Sequence, residues 1–293
     1  MQGDRTIKAG GFRLRVREEG RARGPAIVLV HGFAHSLEIW DAWAEDLARD
    51  HRVIRFDLPG HGLSGPDPKE RYSNEDTVDA LAALLGALDL RRPIIAGNSL
   101  GGLVAWRYAA RAKVKPRALI LVAPGGYPIN GVSDAPVGAP PMVEAFLRYA
   151  PEAGVREATR KLYGDPTRLD DARVAMVHER MSGEGVGAAL VKRLSQFTLP
   201  DPTPELARVT APALVMWGRK DTMVPPDHAE RFAAALKRVE LKLYDDLGHT
   251  PHDEAPARTL KDVRAFLDRL KPRRPACATP VPPRRTSRRA SAS

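Results

Sequence analysis

Pro93-Ile-Ile-Ala-Gly-Asn-Ser-Leu-Gly-Gly102 decides the fold. A short apolar run, strand-like in length, leads directly into Gly97-Asn-Ser-Leu-Gly101, and Leu100 to Arg111 then follows a helical pattern. Strand, sharp turn and helix in that order give G-x-S-x-G its meaning as an elbow that presents a nucleophile. The turn closes so tightly that the residues two before and two after Ser99 have to be small, which Gly97 and Gly101 are. Gly102 adds a third small residue. Such strained geometry lifts the Ser99 hydroxyl into a crevice at the strand end. It also sets that hydroxyl at a helix N-terminus, where free N–H groups favour developing negative charge.

Outward from the elbow, short aliphatic runs alternate with longer helical patterns, which predicts an α/β sheet. Phe12–Glu18 reads as a first strand with a less legible neighbour, and Ala26–Val30 as a central strand covered on both faces. Arg52–Asp57, Ala118–Ala123, Ala213–Trp217 and Val239–Tyr244 complete the set. Helical spacing marks Ser36–Arg49, Asn74–Leu88, Asp227–Lys237 and Pro256–Leu270. From Gly126 to Arg208 the rhythm breaks: four amphipathic segments follow one another without a strand, near 140–149, 152–163, 169–181 and 185–197. An all-helical insertion between core strands predicts a lid over the crevice outside the strands' carboxyl ends. Residues 1–125 and 209–270 are thus expected to form the core and 126–208 the cap.

Composition fits that reading. The chain has 293 residues, 43% of them hydrophobic and 28% charged, as in an ordinary soluble globular protein. No run approaches about 18 consecutive apolar residues, and Met1–Lys8 lacks the apolar core of a secretory signal, so the expected location is the cytoplasm. The net charge of +10 is uneven. Lys271–Ser293 carries one Lys, six Arg and no acid, which leaves only +3 for the rest. That Pro- and Arg-rich tail, 271–293, reads as disordered and solubilising, and no nucleic-acid partner is expected from it despite the clustered Arg. The single Cys277 lies in the same tail, outside any catalytic context.

A serine hydroxyl needs a base to take its proton. Of eight histidines, His249 stands in Leu247-Gly-His-Thr-Pro-His252, between the last strand and the last helix, where a loop reaches across the strand ends. His252 is its neighbouring rival. The imidazole in turn needs a carboxylate on its other nitrogen. Asp221, in Trp217-Gly-Arg-Lys-Asp221, follows another core strand at the same rim, whereas Asp245 and Asp246 end their strand in solvent. Val30-His-Gly-Phe33 leaves an apolar strand and turns at Gly32, which makes the N–H groups of Phe33 and Leu100 the expected oxyanion donors. His31 reads as an architectural residue. No cofactor and no metal site are expected: there is neither a dinucleotide or phosphate loop nor a further ligand cluster around His249, His252 and Glu254.

Four segments, His31-Gly-Phe33, Asp57-Leu-Pro-Gly-His-Gly-Leu-Ser64, Gly97–Gly102 and Gly248-His-Thr-Pro251, make residues 10–270 resemble the α/β-hydrolase fold family. The resemblance implies an eight-stranded, mostly parallel sheet with helices on both faces, a helical cap after the sixth strand, and a cofactor-free Ser–His–Asp triad. The Asp57–Ser64 loop is similar to one that shapes the active-site floor. Related dehalogenases and epoxide hydrolases carry aspartate where this chain has Ser99, which disfavours an alkyl-enzyme route. The expected activity is a serine carboxylesterase acting on a small, apolar ester, with Met142, Phe146, Leu147 and Tyr149 as possible pocket residues. Lactone or thioester hydrolysis and carbon–carbon cleavage of ring-cleavage products are alternatives; Thr250, where that last group tends to carry Trp, lowers the case for it. A non-catalytic ligand receptor on the same fold is the alternative of another class. The oligomeric state is not readable from the sequence.

Overall fold

Alternate side chains of each central strand enter different cores, as a strand covered on both faces requires. The computed structural model describes residues 3–271. In it β1 (Arg5–Ala9) and β2 (Phe12–Gly20) form a hairpin, followed by β3 (Ala26–Val30). A 3-10 turn at Leu37–Trp40 then runs into α1 (Asp41–Leu47). Next come β4 (Arg52–Phe56), α2 (Asn74–Ala87), β5 (Ile94–Asn98), α3 (Leu100–Arg111) and β6 (Ala118–Val122). Val28 and Val30 of β3 pack with α2 and α3, among them Leu81, Leu103 and Trp106. Ile27 and Leu29 pack with Trp40 and Trp43 on the opposite face. Each such side chain taken fully from water stabilises the fold by roughly 1.5–3 kcal/mol.

Four helices follow β6: α4 (Pro141–Tyr149), α5 (Glu152–Arg160), α6 (Asp171–Met181) and α7 (Val186–Leu194), with a 3-10 turn at Pro166–Arg168 before α6. The short α8 (Thr203–Leu206) leads back to β7 (Ala213–Gly218), α9 (His228–Ala235), β8 (Val239–Tyr244), α10 (Pro251–Glu254) and α11 (Pro256–Arg269). The insertion after the sixth strand is therefore all-helical. It has its own apolar cluster, Leu147, Ala150, Val155, Val177, Met181, Val186 and Leu190. Arg193 of α7 fastens it to the core: buried, it donates to the carbonyls of Tyr72 (2.9 Å) and Pro59 (3.0 Å) and to Thr77 Oγ1 (2.9 Å). Burial pushes its pKa down to about 10.

The eight strands lie in the order β1-β2-β4-β3-β5-β6-β7-β8. β1/β2 and β2/β4 are antiparallel, and the remaining neighbours are parallel. The unread partner of Phe12–Glu18 is thus Arg5–Ala9, joined to it through Gly10-Gly11, both at positive φ, in a two-residue turn. Its mostly exposed Arg-Thr-Ile-Lys-Ala is an edge strand without an apolar face to read. Parallel pairing brings the carboxyl ends of β3, β5, β7 and β8 to one rim, so the loops beginning at His31, Ser99, Arg219 and Asp245 open on the same side. Among the described residues no helix is long and apolar enough to cross a membrane. The tail beyond Lys271, including Cys277, lies outside the described residues.

Candidate active site

β5 is buried throughout and delivers Ser99 into a backbone conformation of φ 52°, ψ −115°, which L-residues adopt only under constraint. Three hydrogen bonds impose it. Ser99 N–H donates to Val122 O (3.0 Å), while Ser99 O accepts from the N–H groups of Leu103 (3.0 Å) and Gly125 (2.9 Å). The steric demand read from the sequence is literal: a Cβ on Gly97 would stand 2.2 Å from Gly101 O, and one on Gly101 would stand 2.1 Å from Val30 O. From Pro93 to Arg107, Ser99 alone keeps appreciable solvent access. The fold isolates one hydroxyl from an otherwise buried run.

The β3 loop abuts this turn. A Cβ built on Gly32 would lie 3.3 Å from Ser99 Cβ, so Gly32-Phe33 runs directly beside Ser99. His31 fixes that loop with both ring nitrogens: Nδ1 meets Gly32 O at 2.8 Å, and Nε2 accepts the Leu58 N–H at 2.9 Å. This pattern requires the neutral ring, and burial lowers its pKa to about 4. Neither Phe33 N–H nor Leu100 N–H donates to a backbone carbonyl among the described residues. Leu100 is the first residue of α3, where the amide has no intrahelical acceptor.

Asp221 and His249 meet at the same rim. His249 Nδ1 lies 2.8 Å from Asp221 Oδ2, and Asp221 Oδ1 accepts the N–H groups of Met223 (2.8 Å) and Val224 (3.0 Å). Both oxygens of this buried carboxylate are therefore occupied, which fixes its plane and that of the imidazole. Asn98 Nδ2 donates to His249 O at 3.1 Å, so the residue preceding Ser99 grips the backbone of the histidine.

The rival residues go elsewhere. His252 is buried against Trp40, with ring centroids 4.1 Å apart, and neither of its nitrogens has a partner among the described residues. Asp245 pairs with Arg219, and Asp246 with Arg168 and Arg258. Among the described residues no three His, Cys, Asp or Glu side chains gather as a metal-ligand set.

Of the four pocket candidates on α4, Leu147 is buried in the cap cluster and Phe146 packs at its edge. Met142 and Tyr149, by contrast, are 82% and 79% exposed and lie outside the cap cluster. Instead Met176, Val191 and Leu194 join Phe146 around the cap cluster, and Phe33 and Ala34 of the β3 loop pack against it. Sequence reasoning also missed the roles of three residues: Asn98, Leu162, which accepts the His249 N–H at 2.7 Å, and Glu254, weighed there only as a metal ligand. Only Asn98 carried a signal, its place beside Ser99.

The model of the α/β hydrolase fold matches residues 25–256. The chain belongs to that family. It is similar, at 30% identity over 241 residues, to the pimeloyl-[acyl-carrier protein] methyl ester esterase of Nitrosomonas europaea, covering 80% of this chain and 92% of that one. A 2-hydroxy-6-oxononadienedioate/2-hydroxy-6-oxononatrienedioate hydrolase of Cupriavidus pinatubonensis is 27% identical over 255 residues, 83% of this chain and 87% of that one. Among solved structures, a bacterial membrane phospholipase A superposes with a TM-score of 0.79 at 26% identity, covering 92% of this chain and 86% of the other.

Proposed function

We propose that this α/β-hydrolase protein is a cofactor-independent serine hydrolase that cleaves small apolar carboxylic esters through an acyl-enzyme. The observation that carries the reading is the Asp221–His249 contact at the rim where Ser99 is the one accessible residue of its segment. Ser99 Oγ attacks the carbonyl carbon as His249 Nε2 takes its proton. Asp221 holds the Nδ1–H and stabilises the imidazolium. The N–H groups of Phe33 and Leu100 receive the oxyanion, a contribution of roughly 2.7–4 kcal/mol per donor. His249 then protonates the departing alcohol, and water activated by the same ring releases the acid. The cap, residues 126–208, covers this chemistry, and its cluster beside Phe33 and Ala34 supports an apolar acyl or alcohol group.

Cleavage of a carbon–carbon bond in a ring-cleavage product is the second reading, favoured by the likeness to the Cupriavidus hydrolase. The same serine, base and oxyanion donors serve both. Side-by-side kinetics on p-nitrophenyl esters from acetate to laurate and on a 2-hydroxy-6-oxo-dienoate decide between them. The ester reading expects the higher kcat/KM on an ester, with kcat reduced by at least about 10³-fold in Ser99→Ala. Faster turnover of the dienoate would favour the second reading. Full ester turnover in Ser99→Ala would remove both.

A further inference from the structure

The carboxylates of α10 face the cap rather than Ser99. Glu254 is buried, and three backbone amides converge on it: Gly248 N–H (2.8 Å) and Gly164 N–H (3.0 Å) on Oε2, and Asp165 N–H (2.9 Å) on Oε1. Gly248 immediately precedes His249, whereas Gly164 and Asp165 form the cap stem between α5 and α6. The same stem returns a bond of its own, since Leu162 O accepts the N–H groups of His249 (2.7 Å) and Thr250 (3.3 Å). Next door, Asp253 receives Tyr163 Oη (2.5 Å) and Arg173 Nη2 (2.7 Å), both from the cap. Two chain segments more than eighty residues apart are thus interlocked through one short helix.

A buried carboxylate is tolerated where N–H donors replace the lost water, and charge-assisted bonds of this kind are about twice as strong as neutral ones. Three of them meet on this one side chain: one holds the amide before His249 and two hold the cap stem. We propose that Glu254 is a positioning residue: it ties the amide before His249 to the cap stem, so that the imidazole is in place only while the cap is docked. The proposal rests on His249 being the base.

Glu254→Gln tests it because an amide cannot satisfy all three donors. With its carbonyl at the Oε2 position, the NH₂ group confronts Asp165 N–H; reversed, it confronts two donors. Glu254→Ala loses all three bonds. The expected result is a graded fall in kcat, reaching about 10²-fold in Glu254→Ala, with KM for a short ester little changed. The low-field proton of His249 Nδ1, assigned by its loss in His249→Ala, should shift or broaden in both variants. That signal is read without turnover. An unreactive wild type would sink the hydrolase reading, and the tie between Glu254 and the His249 loop would then be decided by the signal in the two variants alone. Unaltered kcat and an unaltered signal in both variants would overturn the positioning role itself. Should neither variant fold, amide exchange in the full wild-type chain decides: Gly164 and Gly248 are expected to exchange slowly and together, and fast exchange at either refutes the tie.

Discussion

The side-chain amide of Asn98 donates to the carbonyl of His249 and to that of Val122, each at 3.1 Å. One buried side chain thereby couples the Ser99 turn, the end of β6 and the loop of His249, which lies 151 residues further along the chain. Asn98→Ala strands the buried carbonyl of His249, at a cost of about 1–3 kcal/mol, while Val122 O keeps the N–H of Ser99. The expected outcome is a lower urea midpoint together with a kcat reduced by about tenfold or more. A destabilised variant with undiminished kcat would show that the tie serves stability alone.

Asp221→Asn isolates the role of the carboxylate. Its Oδ1 accepts two amides, so the carbonyl of an asparagine takes that place and its NH₂ group turns toward His249 Nδ1. The ring is then forced into the tautomer that carries its hydrogen on Nε2, facing the nucleophile it should deprotonate. A loss of about 10⁴-fold in kcat is expected, with the fold retained. Steady-state kinetics beside circular dichroism measure both, and a loss smaller than tenfold would exclude the assignment.

Legibility in the sequence followed the physics of each feature. β3, β5 and β6 were readable because strands covered on both faces must be apolar, and the elbow because Gly97 and Gly101 answer a steric demand confined to five residues. Arg5–Ala9 escaped because an edge strand with an exposed face has no apolar pattern. Ser36–Arg49 read as one helix but divides into a 3-10 turn and α1 at Trp40, since both geometries bury the same apolar positions. The role of Glu254, weighed in the sequence only as a metal ligand, was unreadable for a deeper reason: its partners are backbone N–H groups, which carry no side-chain identity for a sequence to display.

The orientation of α4 was likewise unreadable, because apolar residues occupy both of its sides. Its inner face is that of Leu147, enclosed by the cap cluster, and Leu147→Ala should cost about 2–5 kcal/mol. Met142→Ser and Tyr149→Ser lie on the outer face and should each stay within about 0.5 kcal/mol of wild type, with ester kcat/KM unchanged. Chemical denaturation and ester kinetics on the three variants check this. A marked rise in KM for Met142→Ser or Tyr149→Ser would return these residues to the substrate path.

Four histidines near the site make stability depend on pH in a defined direction. Burial holds His31 at about 4 and His35 at about 3, and keeps His61 and His252 well below the ordinary value near 6.5. For His31 the geometry states the reason, because a proton on Nε2 would confront the Leu58 N–H. A folded-state pKa below the unfolded one means that the unfolded chain takes up protons first as pH falls. The stabilisation is therefore full above about pH 6.5 and is lost progressively on acidification toward the folded values, each ring contributing up to about 1.4 kcal/mol per pH unit. Asp57 and Asp253, pushed up by burial, act in the opposite sense, so the difference between wild type and His252→Leu over the interval from about 7.5 to 5 is what isolates an imidazole. Urea-unfolding free energies across that interval should fall steeply. In His252→Leu the curve should lie higher and flatter at its acid end, because that ring has no hydrogen-bond partner to lose among the described residues. A flat wild-type profile would mean that the folded protein accepts these protons as readily as the unfolded chain, which rings buried among Trp40, Phe33 and the β3 loop cannot do.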